Sequence, residues 1–322
     1  MILGVECTAH TFGVGIVHRG KVLANIKDMF RPIHGGIIPM ESAKHHTLVA
    51  ERIYQDALKK AGIYEKDIVR IALSNAPGLA PCLVAGMKFA KEKAKLLGVP
   101  IVPVNHCIAH LEIGQSVGAK DPILLYCSGA NTQVIGYSAG KYRVFGETLD
   151  TGIGNFIDKF ARELGVPFPG GPEIEKLALS GEYIELPYAI KGMDVSFSGI
   201  YTKLLQLYKS GAKKEDLAYS LQETAFAMLI EAAERALAHT GKRELVLGGG
   251  VACNSRLQEM CKIMCKERGA KFFCPAREFL VDNAGMIAYT GEIMFNSGIS
   301  KNYSEVDIAP RERTDDVDVT WK

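Results

Sequence analysis

No stretch of the 322-residue chain approaches the roughly 20 consecutive apolar residues that span a bilayer. The opening Met1-Ile2-Leu3-Gly4-Val5-Glu6 has no basic segment and reads directly as a strand, not as a signal peptide. Cys-x-x-Cys pairs are missing among the eight cysteines, and several of these follow apolar, strand-like residues, where a reduced thiol acts as a small hydrophobe. The expected setting is therefore the reducing cytoplasm, with no membrane. An excess of one charge is also missing. With 38 Lys and Arg against 36 Asp and Glu, the net charge is +2, so a nucleic-acid contact has to come from a local patch or a partner. What the chain has is glycine, 33 in all, gathered in short runs at Gly35-Gly36, Gly170-Gly171 and Gly248-Gly249-Gly250. Such runs point to tight backbone geometry near ligands. The length suits two lobes flanking a cleft.

The chain repeats itself. Residues 2–26 read as strand, polar turn, strand, Gly-Lys turn and strand, and residues 122–146 follow the same plan. At an offset of 120, Cys7 aligns with Cys127, Thr8 with Ser128, Val14 with Val134, and Gly20-Lys21 with Gly140-Lys141. About a hundred residues of helix and strand lie between the copies, which predicts one lobe over 1–118 and a second over 119–322. Leu48, Val49, Ile53, Ala57 and Ala61 predict the buried stripe of a helix over 41–62. Lys88, Lys91, Lys93 and Lys95 on the next helix read as a solvated face, the alternative being a nucleic-acid stripe.

Five segments carry candidate chemistry. His106 and His110 stand four residues apart, so a helix would put both on one face at a spacing that suits a shared metal; two backbone-bonded histidines are the alternative. A metallopeptidase of the His-Glu-x-x-His type needs Glu where this chain has Cys107. Tyr126-Cys127-Ser128-Gly129-Ala130 is a strand opening into a small-residue turn whose N–H groups suit a phosphate. Leu247-Gly248-Gly249-Gly250 runs into a helix beginning near Asn254. This is a place for a flat ligand, or else a tight turn with Asn254 as helix cap, and without G-x-G-x-x-G spacing it disfavours a dinucleotide fold. If Gly249 lies against a nucleotide, Gly249→Val should lose binding while keeping the fold. Asp158 sits in the first turns of a helix, and Asp282 reads as either a helix cap or a third metal ligand.

In combination, Asn105-His106-x-x-Ala109-His110, Tyr126 to Ala130, Asp150-Thr151-Gly152, Gly170-Gly171-Pro172, Ser196-Phe197-Ser198-Gly199 and Gly248 to Asn254 resemble the TsaD family, the catalytic subunit of the KEOPS complex, over nearly the whole chain. The tail from Arg311 to Trp321 is similar to the archaeal and eukaryotic branch. The resemblance implies an α/β, two-lobed actin/hexokinase-like (ASKHA) fold with duplicated RNase H-like β-units. It implies transfer of a threonylcarbamoyl group from threonylcarbamoyl adenylate to N6 of the tRNA adenosine 3′ of the anticodon. One divalent metal, Fe2+ or Zn2+, is implied on His106, His110, Tyr126 and Asp282. ATP or adenylate contacts are implied at Tyr126, Cys127, Ser128, Gly129, Ala130, Asp158, Gly171, Glu175, Gly249 and Asn254. The implied partners are tRNA, a small atypical RIO-like kinase, a small dimerisation subunit and other KEOPS subunits. A metallopeptidase, a sugar-kinase-like phosphotransferase (disfavoured by Tyr126 where a catalytic carboxylate is expected) and a non-catalytic ATP-binding scaffold are the rival readings.

Overall fold

The structure, a computed structural model, describes residues 1–32 and 36–322. Gly35 of the first glycine pair lies outside the described residues. The chain divides into two units, one of residues 1–116, 140–142 and 282–322, the other of residues 117–139 and 143–281. The expected division at 118/119 therefore needs correction. The last 41 residues, counted from Asp282, return to the first unit because their helix packs on its sheet.

The first unit contains β1 (Ile2–Glu6), β2 (Thr11–His18), β3 (Lys21–Met29), α1 (Pro39–Ala61), β4 (Arg70–Ala76), α2 (Ala80–Leu97), β5 (Ile101–Asn105) and α3 (His106–Glu112). The second contains β6 (Ile123–Cys127), β7 (Thr132–Ser138), most of β8 (Lys141–Glu147), α4 (Ile153–Glu163), α5 (Gly171–Ala178), β9 (Ile190–Lys191), β10 (Asp194–Val195), α6 (Ser198–Lys209), α7 (Lys214–Thr240), β11 (Glu244–Gly248), α8 (Ser255–Glu267), β12 (Lys271–Phe273) and α9 (Arg277–Leu280). The chain then gives α10 (Ala284–Asn296) to the first unit.

The duplication is real at the level of strand order. One sheet runs β3-β2-β1-β4-β5 and the other β8-β7-β6-β11-β12, so each copy forms an antiparallel meander whose first strand pairs in parallel with a later strand. The two hairpin turns match as well. Arg19-Gly20 (φ 51° and 72°) and Ala139-Gly140 (φ 51° and 79°) place two consecutive residues at positive φ, the backbone of a two-residue I′ hairpin, at the same 120-residue offset. Each unit has its own apolar core, the first built on Leu3, Val5, Val14, Ile16 and Leu73, the second on Leu125, Phe156, Phe160, Phe226 and Leu247.

Two helix readings change on contact with the structure. On α1 the buried face is Ala43, His46, Ala50, Ile53, Tyr54, Ala57 and Leu58, whereas Leu48 is 82% exposed. Leu48 lies off the stripe that His46 and Tyr54 complete, and polar or amphipathic residues can supply a helix's inner face as well as aliphatic ones. On α2, Lys93 is buried rather than solvated. Its ammonium lies 2.8 Å from Glu51 and 4.2 Å from the Tyr54 ring centroid, so a salt bridge and a cation–π contact compensate its burial.

His46 is fully buried with its ring 5.6 Å from that of Phe12, and burial, reinforced by nearby His45, lowers its pKa to about 4. A histidine held neutral in the fold contributes stability that is full above its unfolded value near 6.5 and lost as pH falls from there to about 4, about 3 kcal/mol at most. His46→Phe should flatten the fall in thermal midpoint between pH 6.5 and 4; parallel curves for the two proteins would remove His46 from the account.

Candidate metal centre

Asn105 ends β5 and caps α3, its side-chain oxygen accepting from the N–H groups of Cys107 (3.0 Å) and Ile108 (3.3 Å). That cap starts the helix at His106, so His106 and His110 share a face, with ring centroids 4.9 Å apart. Asp282 comes from the far end of the chain. Asn283, not Asp282, caps α10 by accepting from Met286 N–H at 2.9 Å, which frees the Asp282 carboxylate from the capping role. Its Oδ1 lies 3.3 Å from His106 Nε2 and 4.0 Å from His110 Nε2, and its backbone carbonyl accepts from Lys27 Nζ at 3.1 Å.

The two sides of α10 explain how such a remote residue is held. α10 packs on β1 and β2 through Gly4 and Gly15, where a Cβ would lie 2.4 Å from Ala284 O and 2.5 Å from the Ala284 carbonyl carbon, respectively. Two strand glycines thus set the helix close enough to bring its first residues beside α3.

One ligand atom from each of His106, His110 and Asp282 lies within 4.8 Å of the others. Two imidazoles and a carboxylate are a donor set that suits a divalent transition metal, so the residues fit the metal the resemblance implies. Burial opposes charge on His106, but the carboxylates of Glu6 and Asp282 outweigh it and push its pKa well above the usual range. Burial lowers that of His110 to about 3, aided by charge on His106. Burial disfavours the Asp282 anion too, yet the hydrogen bond and charge of His106 hold the carboxyl below its ordinary value. A metal bound here would therefore compete with a proton at His106. The sequence alone assigned no role to Glu6, whose Oε2 lies 2.9 Å from His106 Nδ1; the signals were a carboxylate closing an otherwise apolar strand and its place opposite Tyr126 in the repeat.

Tyr126 and the implied nucleotide residues belong to the second unit. Tyr126 and Cys127 are buried at the end of β6, whereas Gly129 and Ala130 are exposed in the turn that follows. Ser128 spends its hydroxyl inside that turn, donating to Asn131 O at 2.9 Å. The turn sits directly on the start of α4, since a Cβ on Gly152 would lie 2.2 Å from Gly129 O. Asp158, in the second turn of α4, accepts from Gly170 N–H at 2.7 Å, so it fastens the approach to α5 rather than complementing its own helix dipole. Gly171 opens α5, and Glu175 on that helix accepts from Ser255 N–H at 2.8 Å. Asn254 caps α8 and donates to Gln222 Oε1 at 2.8 Å. Gly249 lies against the end of β6. These contacts join the β6 turn, the α4 and α5 starts and the β11–α8 turn into one framework. The Ser196-Phe197-Ser198 donors go elsewhere, to Asp150, whose carboxylate accepts from the Ser196 hydroxyl at 2.6 Å and Ser198 N–H at 2.8 Å; despite partial burial these bonds lower its pKa.

Duplicated five-stranded mixed sheets with this strand order place the chain among α/β proteins of the actin/hexokinase-like class. Solved structures agree on the fold. T. kodakarensis HypF matches with a TM-score of 0.66 at 16% identity, over 92% of this chain and 48% of that one. Component A of Acidaminococcus fermentans (R)-2-hydroxyglutaryl-CoA dehydratase matches at 0.56 and 13% identity, over 94% and 98%. The chain belongs to the TsaD family, described as tRNA N6-adenosine threonylcarbamoyltransferase, whose profile matches residues 19–289. It is 54% identical over 321 residues to the Thermococcus kodakarensis protein of that description, covering 99% of both. It is also 51% identical to a probable bifunctional tRNA threonylcarbamoyladenosine biosynthesis protein of Methanosarcina mazei, covering 99% of this chain and 59% of that protein.

Proposed function

We propose that this transferase moves a threonylcarbamoyl group from threonylcarbamoyl adenylate to N6 of the tRNA adenosine 3′ of the anticodon, using one iron(II) ion, with zinc as the alternative. The grouping of His106, His110 and Asp282 within 4.8 Å carries the metal part of this reading. Tyr126 enters as the fourth ligand on the family resemblance. When bound, a divalent cation supplies Lewis-acid polarisation of an oxygen ligand.

The residues of the chain do the holding. The exposed backbone of Gly129 and Ala130 faces solvent at a strand end, where N–H groups suit a phosphate. Asn254 and Glu175, in the same unit, are fixed by their own hydrogen bonds, which favours a preformed surface for the adenylate. In the transfer, the adenosine amine nitrogen forms a bond to the carbamoyl carbonyl carbon, the bond from that carbon to the phosphate oxygen breaks with its electron pair, and AMP leaves. The amine proton is released. A peptidase reading lacks support, since position 107 is a buried thiol whose pKa burial raises, which disfavours the anion at the position where that chemistry places a carboxylate.

Bifunctional relatives support cooperation with a second activity, and we assign that role to a small RIO-like kinase, with a dimerisation subunit and other KEOPS subunits completing the complex on tRNA. The near-neutral charge supports the need for such partners. The test is transfer to tRNA by the chain with its partner subunits and synthetic adenylate, comparing Tyr126→Phe with wild type. In iron-loaded, oxidised protein, wild type should show a visible tyrosinate-to-iron band that Tyr126→Phe lacks. Modification that needs no added adenylate or ATP would sink the donor assignment, and a band that survives Tyr126→Phe would remove Tyr126 from the site.

A further inference from the structure

Glu6 closes β1 with no exposed surface, a position where an uncompensated carboxylate is costly. Its first oxygen accepts from Thr8 N–H at 2.8 Å and from the Thr8 hydroxyl at 2.6 Å. Those two bonds fix the rotamer of the carboxylate. Its second oxygen lies 2.9 Å from His106 Nδ1, and the Thr8 hydroxyl is a further 3.3 Å contact to the same nitrogen. The opposite nitrogen, Nε2, faces Asp282 Oδ1 at 3.3 Å.

An imidazole that donates Nδ1–H to a fixed acceptor presents Nε2 as its lone pair, and the ring plane is set by the same bond. A carboxylate buried only to satisfy the turn at Thr8 would have no need of the second contact. The repeat adds an independent pointer. At the 120-residue offset Glu6 corresponds to Tyr126, so both copies carry a ligand-type side chain at the last or next-to-last position of their first strand. Each carries an oxygen into an otherwise apolar, buried strand.

We propose that Glu6 is a positioning residue of the metal centre, holding His106 in the Nδ1–H tautomer with Nε2 aimed at the ligand group, while Thr8 fixes Glu6 itself. This rests on the metal reading above. It adds a carboxylate–histidine pair behind the ligands. β1, the turn after it that carries Thr8, and α3 all belong to one unit.

The experiment is an anaerobic Co2+ titration of the metal-stripped, full-length chain, read by visible absorption and by proton NMR of the cobalt-loaded protein. Glu6→Gln keeps the shape and a hydrogen-bonding oxygen but removes the charge. It should retain the thermal midpoint to within a few degrees yet bind Co2+ roughly 10- to 100-fold more weakly. In wild type the His106 Nδ1–H should appear as an exchangeable, strongly shifted resonance, and Glu6→Gln should move or broaden it, which a merely structural role would not do. Where Glu6→Gln does not fold, Thr8→Val carries the test, since it loosens the carboxylate but keeps its charge. It should weaken Co2+ by about threefold, on the lower side of the same range of outer-shell effects. One tightly bound Co2+ in wild type with unchanged affinity and resonance in the variants would overturn the role of Glu6 and leave the metal site standing. No Co2+ uptake by wild type would overturn both.

Discussion

Replacing both His106 and His110 with alanine will yield a chain that binds less than a tenth of the wild-type metal and has lost nearly all transfer activity. We expect activity to fall by at least 10²- to 10³-fold, roughly the cost of removing one preorganised charge-stabilising group from a transition state. The structural reason is that, among the described residues, the two rings and Asp282 form the group of possible metal donors in the first unit. Removing both imidazoles leaves Asp282 and the proposed Tyr126, oxygen donors alone, which hold transition metals more weakly. Metal is measured by mass spectrometry on protein purified anaerobically, without chelator or a nickel column, and activity by adenosine modification with the partner subunits present. Circular dichroism guards against misfolding, because both histidines are buried and alanine leaves cavities. Full metal occupancy and activity in the double variant would return the histidines to a structural role. A proton release on metal uptake by wild type, read in weak buffer, is the companion result, since the carboxylates of Glu6 and Asp282 push the His106 pKa up against its burial.

Much of this site was legible in the chain before any coordinates, though unevenly. Strand alternation and Gly-Lys turns locate both meanders to within three residues at either end, because period-two patterning and a two-residue hairpin are local properties. The His106/His110 pair is legible for the same reason, as helical spacing alone decides that the rings share a face. That Asp282 meets them is not local. It depends on Gly4 and Gly15 admitting α10 to the sheet, a contact across more than 260 residues. Glu6 stayed hidden because a carboxylate at a strand end reads as solvent-facing until its burial is known. Leu48 and Lys93 failed in opposite directions on neighbouring helices. Hydrophobicity of a single residue does not say which face a neighbouring element covers, and a partner such as Glu51 overrides the default for lysine.

Gly249→Val, which the sequence presents as a clean test of nucleotide binding, will instead damage the fold. Gly249 has φ +89°, a conformation that side chains with a Cβ rarely adopt, and a Cβ there would lie 2.3 Å from Cys127 O and 2.8 Å from Ser128 N. Both obstacles are backbone at the end of β6, which cannot step aside without disturbing the register between β6 and β11, where Tyr126 pairs with Gly248. The backbone conformation alone costs roughly 1–3 kcal/mol, and overpacking against a strand adds about as much again. We therefore expect a destabilisation of at least 3 kcal/mol, a large part of the stability of an ordinary domain. The binding test moves one residue along. Gly250 has no positive φ, and the nearest atom to its added Cβ is Val281 Cγ1 at 3.9 Å. Gly250→Ala should keep the thermal midpoint to within a few degrees. If the adenylate lies against this turn, the same variant should bind it at least tenfold more weakly, because a methyl group then occupies the approach. Measuring thermal midpoint and adenylate affinity on both variants separates the two roles. A stable Gly249→Val would refute the packing argument, and an undiminished affinity in Gly250→Ala would place the nucleotide away from the glycine turn.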